Sequence, residues 1–199
     1  MKQLTFILLL LSVSLSAQIW LKQDIRQIPN DINEFTVSSG TWSNGTDGSR
    51  NYIQCDASGL IYIDSKQAYG TWFFDVYSVG TTEVFFTADV AGAIQTFNGY
   101  GLRYISSGRI GFYKSTIGGF NILMVSQFNE YTASTWQKYK VTRSATGEFK
   151  IYRNSGAGFV LVDANTGTNP ATNNDVTTSK YLVLDFDTGD RISNIRFKE

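Results

Sequence analysis

The side chains of this sequence that could do chemistry are carboxylates set among aromatic rings. In Gly70-Thr71-Trp72-Phe73-Phe74-Asp75-Val76-Tyr77, Asp75 alternates with Phe73 and Tyr77; a few residues on, Glu83, Phe85 and Asp89 recur with the same parity. Rings of this kind stack on the apolar faces of small ligands, while carboxylates and a nearby Arg103 bond hydroxyl groups, the usual furnishing of a concave binding site. Phe73, Asp75, Tyr77, Glu83, Phe85, Asp89 and Arg103 are therefore the candidate ligand-binding residues. An alternative for Phe73 and Phe85 is burial under a loop or in a second small core. As acid–base machinery the carboxylates are poorly spaced. Glu83 and Asp89 are six residues apart, roughly 20 Å along a strand at about 3.3 Å per residue. Paired carboxyls that cleave glycosidic bonds stand about 5–9.5 Å apart. A partner from a neighbouring strand, such as Asp75, could close that gap.

Other chemistries are bounded by composition. The chain has no histidine and one cysteine, Cys55. Ser-His-Asp and Cys-His relays both move a proton through an imidazole, so neither can be built. One thiol without imidazole does not make a tetrahedral zinc site, and no intrachain disulfide can form. Cys55 reads as a small buried apolar residue. Seventeen basic residues balance seventeen acidic ones, so nothing resembles the basic stripe that nucleic acid requires. Asp185-Phe186-Asp187-Thr188-Gly189-Asp190 clusters the hard oxygens that calcium favours. Asp185, Asp187 and Asp190 are thus candidate ligands of a structural calcium. The competing reading is a hairpin turn whose Asp side chains bond local backbone, since Arg196 stands where an EF-hand loop needs its bidentate Glu. Asn44-Gly45-Thr46 is a glycosylation sequon.

The elements that must position these residues are strands. Residues 1–17 carry a basic start, an apolar run and a small-residue exit, and read as a signal peptide; the run is too short to span a bilayer. Export to the periplasm, cell surface or medium is expected, with no membrane span once the leader is cleaved. Residues 18–34 form a lead-in in which Ile19, Leu21, Ile25 and Ile28 recur at roughly helical spacing before Pro29. From residue 35 to 199, short aromatic and β-branched runs alternate with Gly, Asn, Asp and Ser clusters, the pattern of an all-β, antiparallel two-sheet sandwich. Hairpin turns are expected at Ser107-Gly108, Thr146-Gly147 and Thr188-Gly189, and one long loop over 164–178. Trp72, Phe74 and Val76 should line the core, as should Val84 and Phe86 on the next strand. Trp72 and Trp136, both inside alternating strands, are assigned to the core; Trp20 and Trp42 have no assignment.

A resemblance follows from the order of several runs. Tyr69 to Tyr77 precedes Gly99-Tyr100-Gly101-Leu102-Arg103-Tyr104 and Gly108-Arg109-Ile110-Gly111-Phe112-Tyr113; Thr135 to Arg143, Gly147 to Tyr152 and Ile192 to Phe197 come after. Over residues 66–198 this resembles the concanavalin A-like lectin/glucanase jelly rolls, laminin-G-like domains included, and also modules of phage structural proteins. The resemblance implies a jelly roll that binds glycan or polysaccharide on a sheet face or edge. The Glu-x-Asp-x-x-Glu strand of that fold's retaining glucanases is missing. The expectation is a secreted, non-catalytic, lectin-like module. A phage virion or surface-appendage component that docks on other structural proteins is the alternative, and a glycoside hydrolase the second.

Overall fold

The computed structural model describes residues 25–105 and 107–198. The leader and Trp20 lie outside the described residues. The chain opens with β1 (Arg26–Gln27), a 3-10 turn (Ile32–Glu34), β2 (Thr36–Val37), β3 (Thr41–Asp47), β4 (Arg50–Ala57) and β5 (Gly59–Asp64). It continues through β6 (Gly70–Tyr77), β7 (Thr82–Ala88), β8 (Gly99–Ile105), β9 (Arg109–Thr116), β10 (Gly119–Ser126) and β11 (Trp136–Arg143). Last come β12 (Glu148–Asn154), β13 (Phe159–Leu161), β14 (Ala164–Gly167), β15 (Ala171–Thr172), β16 (Tyr181–Phe186) and β17 (Arg191–Lys198). The stretch expected as one long loop thus carries two short strands, β14 and β15, which close open sheet edges.

The strands form two antiparallel sheets packed as a sandwich. One has the order β13-β12-β11-β6-β17-β4-β3, with β1 beside β17 and β15 beside β12; the other runs β14-β10-β9-β8-β7-β16-β5-β2. Period-two alternation sends Trp72, Phe74, Val76, Tyr139, Val141, Phe149, Ile151, Ile192 and Phe197 inward from the first sheet. Val84, Phe86, Tyr100, Leu102, Phe112, Leu182 and Leu184 meet them from the second. Their rings interlock, with Trp72 and Phe86 centred 4.9 Å apart and Phe112 and Phe149 4.8 Å. Each such ring, fully withdrawn from water, contributes about 1.5–3 kcal/mol. Trp42 joins this core, and so does Cys55, whose thiol is pushed up to about 11 by burial and is inert.

Hairpin turns are present at Ser107-Gly108 and Thr146-Gly147, whereas Thr188-Gly189 turns the chain between β16 and β17, which lie in different sheets. Gly108, Gly147 and Gly189 each take a positive φ (74°, 83° and 92°) that other residues adopt reluctantly. The lead-in departs from expectation. Its described residues before Pro29 are extended, not helical: Arg26 pairs with Phe197, Gln27 with Arg196, and the Ile28 amide donates to the Ile195 carbonyl at 2.9 Å. β4 pairs only the start of β17, which leaves backbone groups further along that strand needing partners, and a strand supplies them where a helix would not.

Two connections between the sheets are tied together at one end. Residues 78–81 carry the chain from β6 in the first sheet to β7 in the second, and residues 187–190 return it from β16 to β17. Asp190, fully buried, accepts from the Val79 and Gly80 amides (2.6 and 3.3 Å), the Thr82 hydroxyl (2.6 Å) and the Asp187 amide (2.9 Å). Asp187 accepts from the Thr81 amide at 2.8 Å.

Candidate functional site

The outward parity of the first sheet gathers its polar and aromatic side chains into one field. Register places Tyr77 between Trp136 of β11 and Arg191 of β17, Asp75 between Lys138 and Ser193, and Phe73 between Lys140 and Arg196. Arg191 in turn lies opposite Gln54 of β4. At the end nearer the β3–β4 hairpin three rings cluster, Trp136 centred 5.8 Å from Tyr52 and 5.6 Å from Tyr77. Arg191 sits over both tyrosines (4.9 and 4.7 Å to the ring centres), and Arg50 over Trp136 at 4.4 Å. The Trp136 indole N–H donates to Asp47 Oδ2 at 3.1 Å, which fixes the plane of the ring. Trp136 and Tyr77 remain partly exposed.

Further along the same face, Arg196 stands over Phe73 at 5.2 Å, and Lys140 Nζ over Tyr152 at 3.8 Å and Phe159 at 5.3 Å. Phe73 and Phe159 meet edge to face at 5.9 Å. Asp75 is nearly buried between the two halves; its Oδ2 accepts from Asn194 Nδ2 at 2.8 Å and lies 3.6 Å from Arg50. Asn194 reaches it because β17 bulges between Ser193 and Arg196, with Asn194 at φ 54°.

The seven candidate ligand-binding residues do not form one surface. Phe73, Asp75 and Tyr77 lie on the outer face of the first sheet, whereas Glu83, Phe85 and Arg103 lie on the outer face of the second, across the full thickness of the sandwich. The reason is the 78–81 connection, which changes sheets between two strands adjacent in sequence. Phe85 is fully buried under the 89–98 loop with Leu60, Ala88, Phe97 and Val183, the second small core that stood as its alternative. Its ring lies against the backbone of β8, where a Cβ on Gly101 would fall 2.4 Å from it. Asp89 closes that loop by accepting from the Asn98 amide and side chain, each at 2.8 Å.

Glu83 is nearly buried, its Oε1 lying 3.2 Å from Arg103 Nε. Burial pushes its carboxyl up to about 7, against the pull of Arg103 and with help from the charges of Asp185 and Asp187. Asp185 lies directly opposite Glu83 on β16, and burial raises its carboxyl too. Asp185 is thus the cross-strand neighbour that a search for paired carboxylates needed, in place of Asp75.

Asp185, Asp187 and Asp190 do not fit calcium. Both oxygens of Asp190 are taken by protein donors, Asp187 caps Thr81, and Asp185 points to a sheet face. Among the described residues no group of three or more acidic or thiol side chains could hold a metal ion. Asn44, the sequon residue, is engaged at both ends of its amide: it accepts from the Ile32 amide and donates to Asp31, each at 2.8 Å.

Trp136 corrects the core assignment made from sequence. It lies outside, sharing parity with Lys138 and Lys140, while Gln137, Tyr139 and Val141 share the other. That parity was visible beforehand. Arg50, Arg191 and Arg196 were missed because nothing in their local sequence says that aromatic rings of other strands lie beneath them.

Among the described residues no helix is long and apolar enough to cross a membrane. No family model matches the chain, and no curated protein does. Solved structures do. A carbohydrate-binding module from Bacillus subtilis, CBM66, is similar with a TM-score of 0.64 at 16% identity, over 83% of this chain and 96% of that one. The globular domain of T. cruzi calreticulin reaches 0.58 at 8% identity, over 88% and 87%. A native glycosidic hydrolase reaches 0.55 at 11% identity, over 88% and 95%. At these identities the likeness is one of fold alone, an antiparallel two-sheet β-sandwich.

Proposed function

We propose that this chain is an exported, non-catalytic module that binds carbohydrate on the outer face of its first sheet. The observation that carries the reading is the partly exposed Trp136–Tyr77 pair, its rings held by Arg50, Arg191 and Asp47 on a face that also offers Gln54 and Lys138. Pre-oriented rings present an apolar floor for a pyranose or furanose, and the surrounding donors and acceptors bond its hydroxyls without an ordering cost at binding. The fold likeness to a carbohydrate-binding module supports the same reading. A glycan array probed with wild type, Trp136→Ala and Tyr77→Ala tests it. Binding to a defined set of glycans that both variants lose by tenfold or more is expected; a wild type that binds no glycan refutes it.

The hydrolase reading has one observation in its favour, the Glu83–Asp185 cross-strand pair, whose β-carbons by register stand about 4.5–5.5 Å apart. A raised carboxyl beside a second one suits a general acid. Against it, Glu83 is only 5% exposed and Arg103 occupies its carboxylate, so a scissile oxygen has no approach. Release of reducing ends from the glycans bound on the array, lost in Glu83→Gln, would reinstate catalysis.

A further inference from the structure

Although its charges balance overall, the chain distributes them unevenly. Among the described residues every carboxylate on the outer face of the first sheet is engaged. Asp47 accepts from Trp136, Asp56 from Gln54, Asp75 from Asn194 beside Arg50, and Glu148 pairs with Lys150 at 2.8 Å. The cations are in surplus. Lys138, Lys140, Arg191 and Arg196 meet no carboxylate among the described residues, and the face's contacts to the last three are aromatic rings.

The two arginines are the more telling. Arg191 and Arg196 are half-buried, and the Nε of each, like those of Arg109, Arg143 and Arg153, is sealed without a partner, which leaves the terminal N–H groups to meet a ligand. A ring under a guanidinium holds its plane but takes none of its N–H donors, so the fork stays open to a planar or tetrahedral anion. The two lie five positions apart on one strand, roughly 15 Å at about 3.3 Å per residue allowing for the bulge. Lys138 and Lys140 run alongside, two strands away from Arg191 and Arg196 across β6. A row of this length matches a charged polymer better than a single sugar.

We infer that the glycan taken by this face is acidic, a polysaccharide bearing carboxylate or sulfate groups at intervals, with Arg191 and Arg196 as the two anion-reading forks and Lys138 and Lys140 as the accompanying charge. This rests on the carbohydrate reading above and sharpens it. Neutral sugars leave the forks unfilled, while an acidic chain places rings on Trp136, Tyr77 and Phe73 and its charges beside the cations.

The test uses one backbone with its charge switched. Polygalacturonate and its fully methyl-esterified form are offered to wild type, Arg191→Gln, Arg196→Gln, Lys138→Gln/Lys140→Gln and a control, Lys66→Gln/Lys180→Gln, whose lysines line a separate cleft between residues 66–70 and 177–180. Chondroitin sulfate, neutral dextran and single-stranded DNA complete the set, and thermal melts show that each variant is folded. Wild type and control should bind polygalacturonate or chondroitin sulfate at least tenfold more tightly than the ester or dextran. Each arginine variant should lose at least tenfold, and affinity should fall as salt is raised. Equal binding of the ester or of dextran overturns the acidic preference and leaves the carbohydrate reading standing. Binding of DNA as tight as that of the acidic glycans overturns it in favour of a general polyanion site. Binding of no polysaccharide at all, on the array or here, removes both.

Discussion

The guanidinium carbon of Arg50 stands 4.4 Å from the centre of the Trp136 ring, although β6 and β17 separate their strands in the sheet. Contact over that span requires the tip of the β3–β4 hairpin to lean across the face, and the bond from Trp136 to Asp47, just before that turn, holds it there. A cation over an indole is worth about 0.5–1 kcal/mol when exposed and about 2 when desolvated. Arg50 is partly shielded. A double-mutant cycle of Arg50→Gln with Trp136→Leu, read by urea unfolding, should give a coupling near 1 kcal/mol. Additive losses would mean that the hairpin is held by Asp47 alone.

Asp190 accepts four hydrogen bonds from three segments and joins the two crossings between the sheets. Burial raises its carboxyl above the usual range and those bonds pull it down. Asp190→Ala leaves the Val79 and Gly80 amides without their acceptor in a sealed site. The expected loss is about 3 kcal/mol in denaturant unfolding, with Asp190→Asn losing less because one oxygen remains. Addition of calcium should leave the melting temperature of wild type unchanged; a clear rise would show a cation site where the geometry gives none.

Phe85 separates stability from binding. Its ring is sealed by Phe97, 4.9 Å away and edge on, under the 89–98 loop. Phe85→Ala should destabilise by about 3–5 kcal/mol, and the protein that stays folded should bind glycan as wild type does, because the proposed face lies on the other sheet. A selective loss of affinity at unchanged stability would move the site to the second sheet.

What the sequence shows of this fold is local, and what it hides is which strands share a sheet. Alternation in Trp72-Phe73-Phe74-Asp75-Val76-Tyr77 identifies the core side correctly, since Trp72, Phe74 and Val76 are each 1% exposed. The glycine turns, with φ values that few other residues tolerate, are equally legible. Nothing in the residues 78–81 states that the chain changes sheets there, so Tyr77 and Glu83 read as neighbours on one face and prove to stand back to back. Arg196 escapes notice for a related reason. The bulge at Asn194 shifts parity midway along β17, so a strict period of two misplaces one end of the strand. Trp136 is different: Tyr139 and Val141 already mark the inner parity of its strand, and a full count of that strand would have placed it outside.

Glu83 sets a dependence on pH whose sign distinguishes two accounts of its pairing with Arg103. The carboxyl is pushed up from 4.5 to about 7, chiefly by burial, while Arg103 at 3.2 Å favours the charged form. Between those values the folded protein holds a proton that the unfolded chain has released. Stability from this group is therefore complete below about pH 4.5 and declines as pH rises through 7. Asp185, also raised by burial, adds in the same direction. Glu83→Gln imitates the protonated form and keeps an acceptor for Arg103. Its melting temperature should vary less than that of wild type between about pH 5 and 8 and should exceed it at the upper end. If wild type instead remains the more stable at about pH 8, Coulomb attraction to Arg103 outweighs desolvation. Glu83 would then be ionised in the folded state across neutral pH, which also removes the raised carboxyl that favoured catalysis on the second sheet.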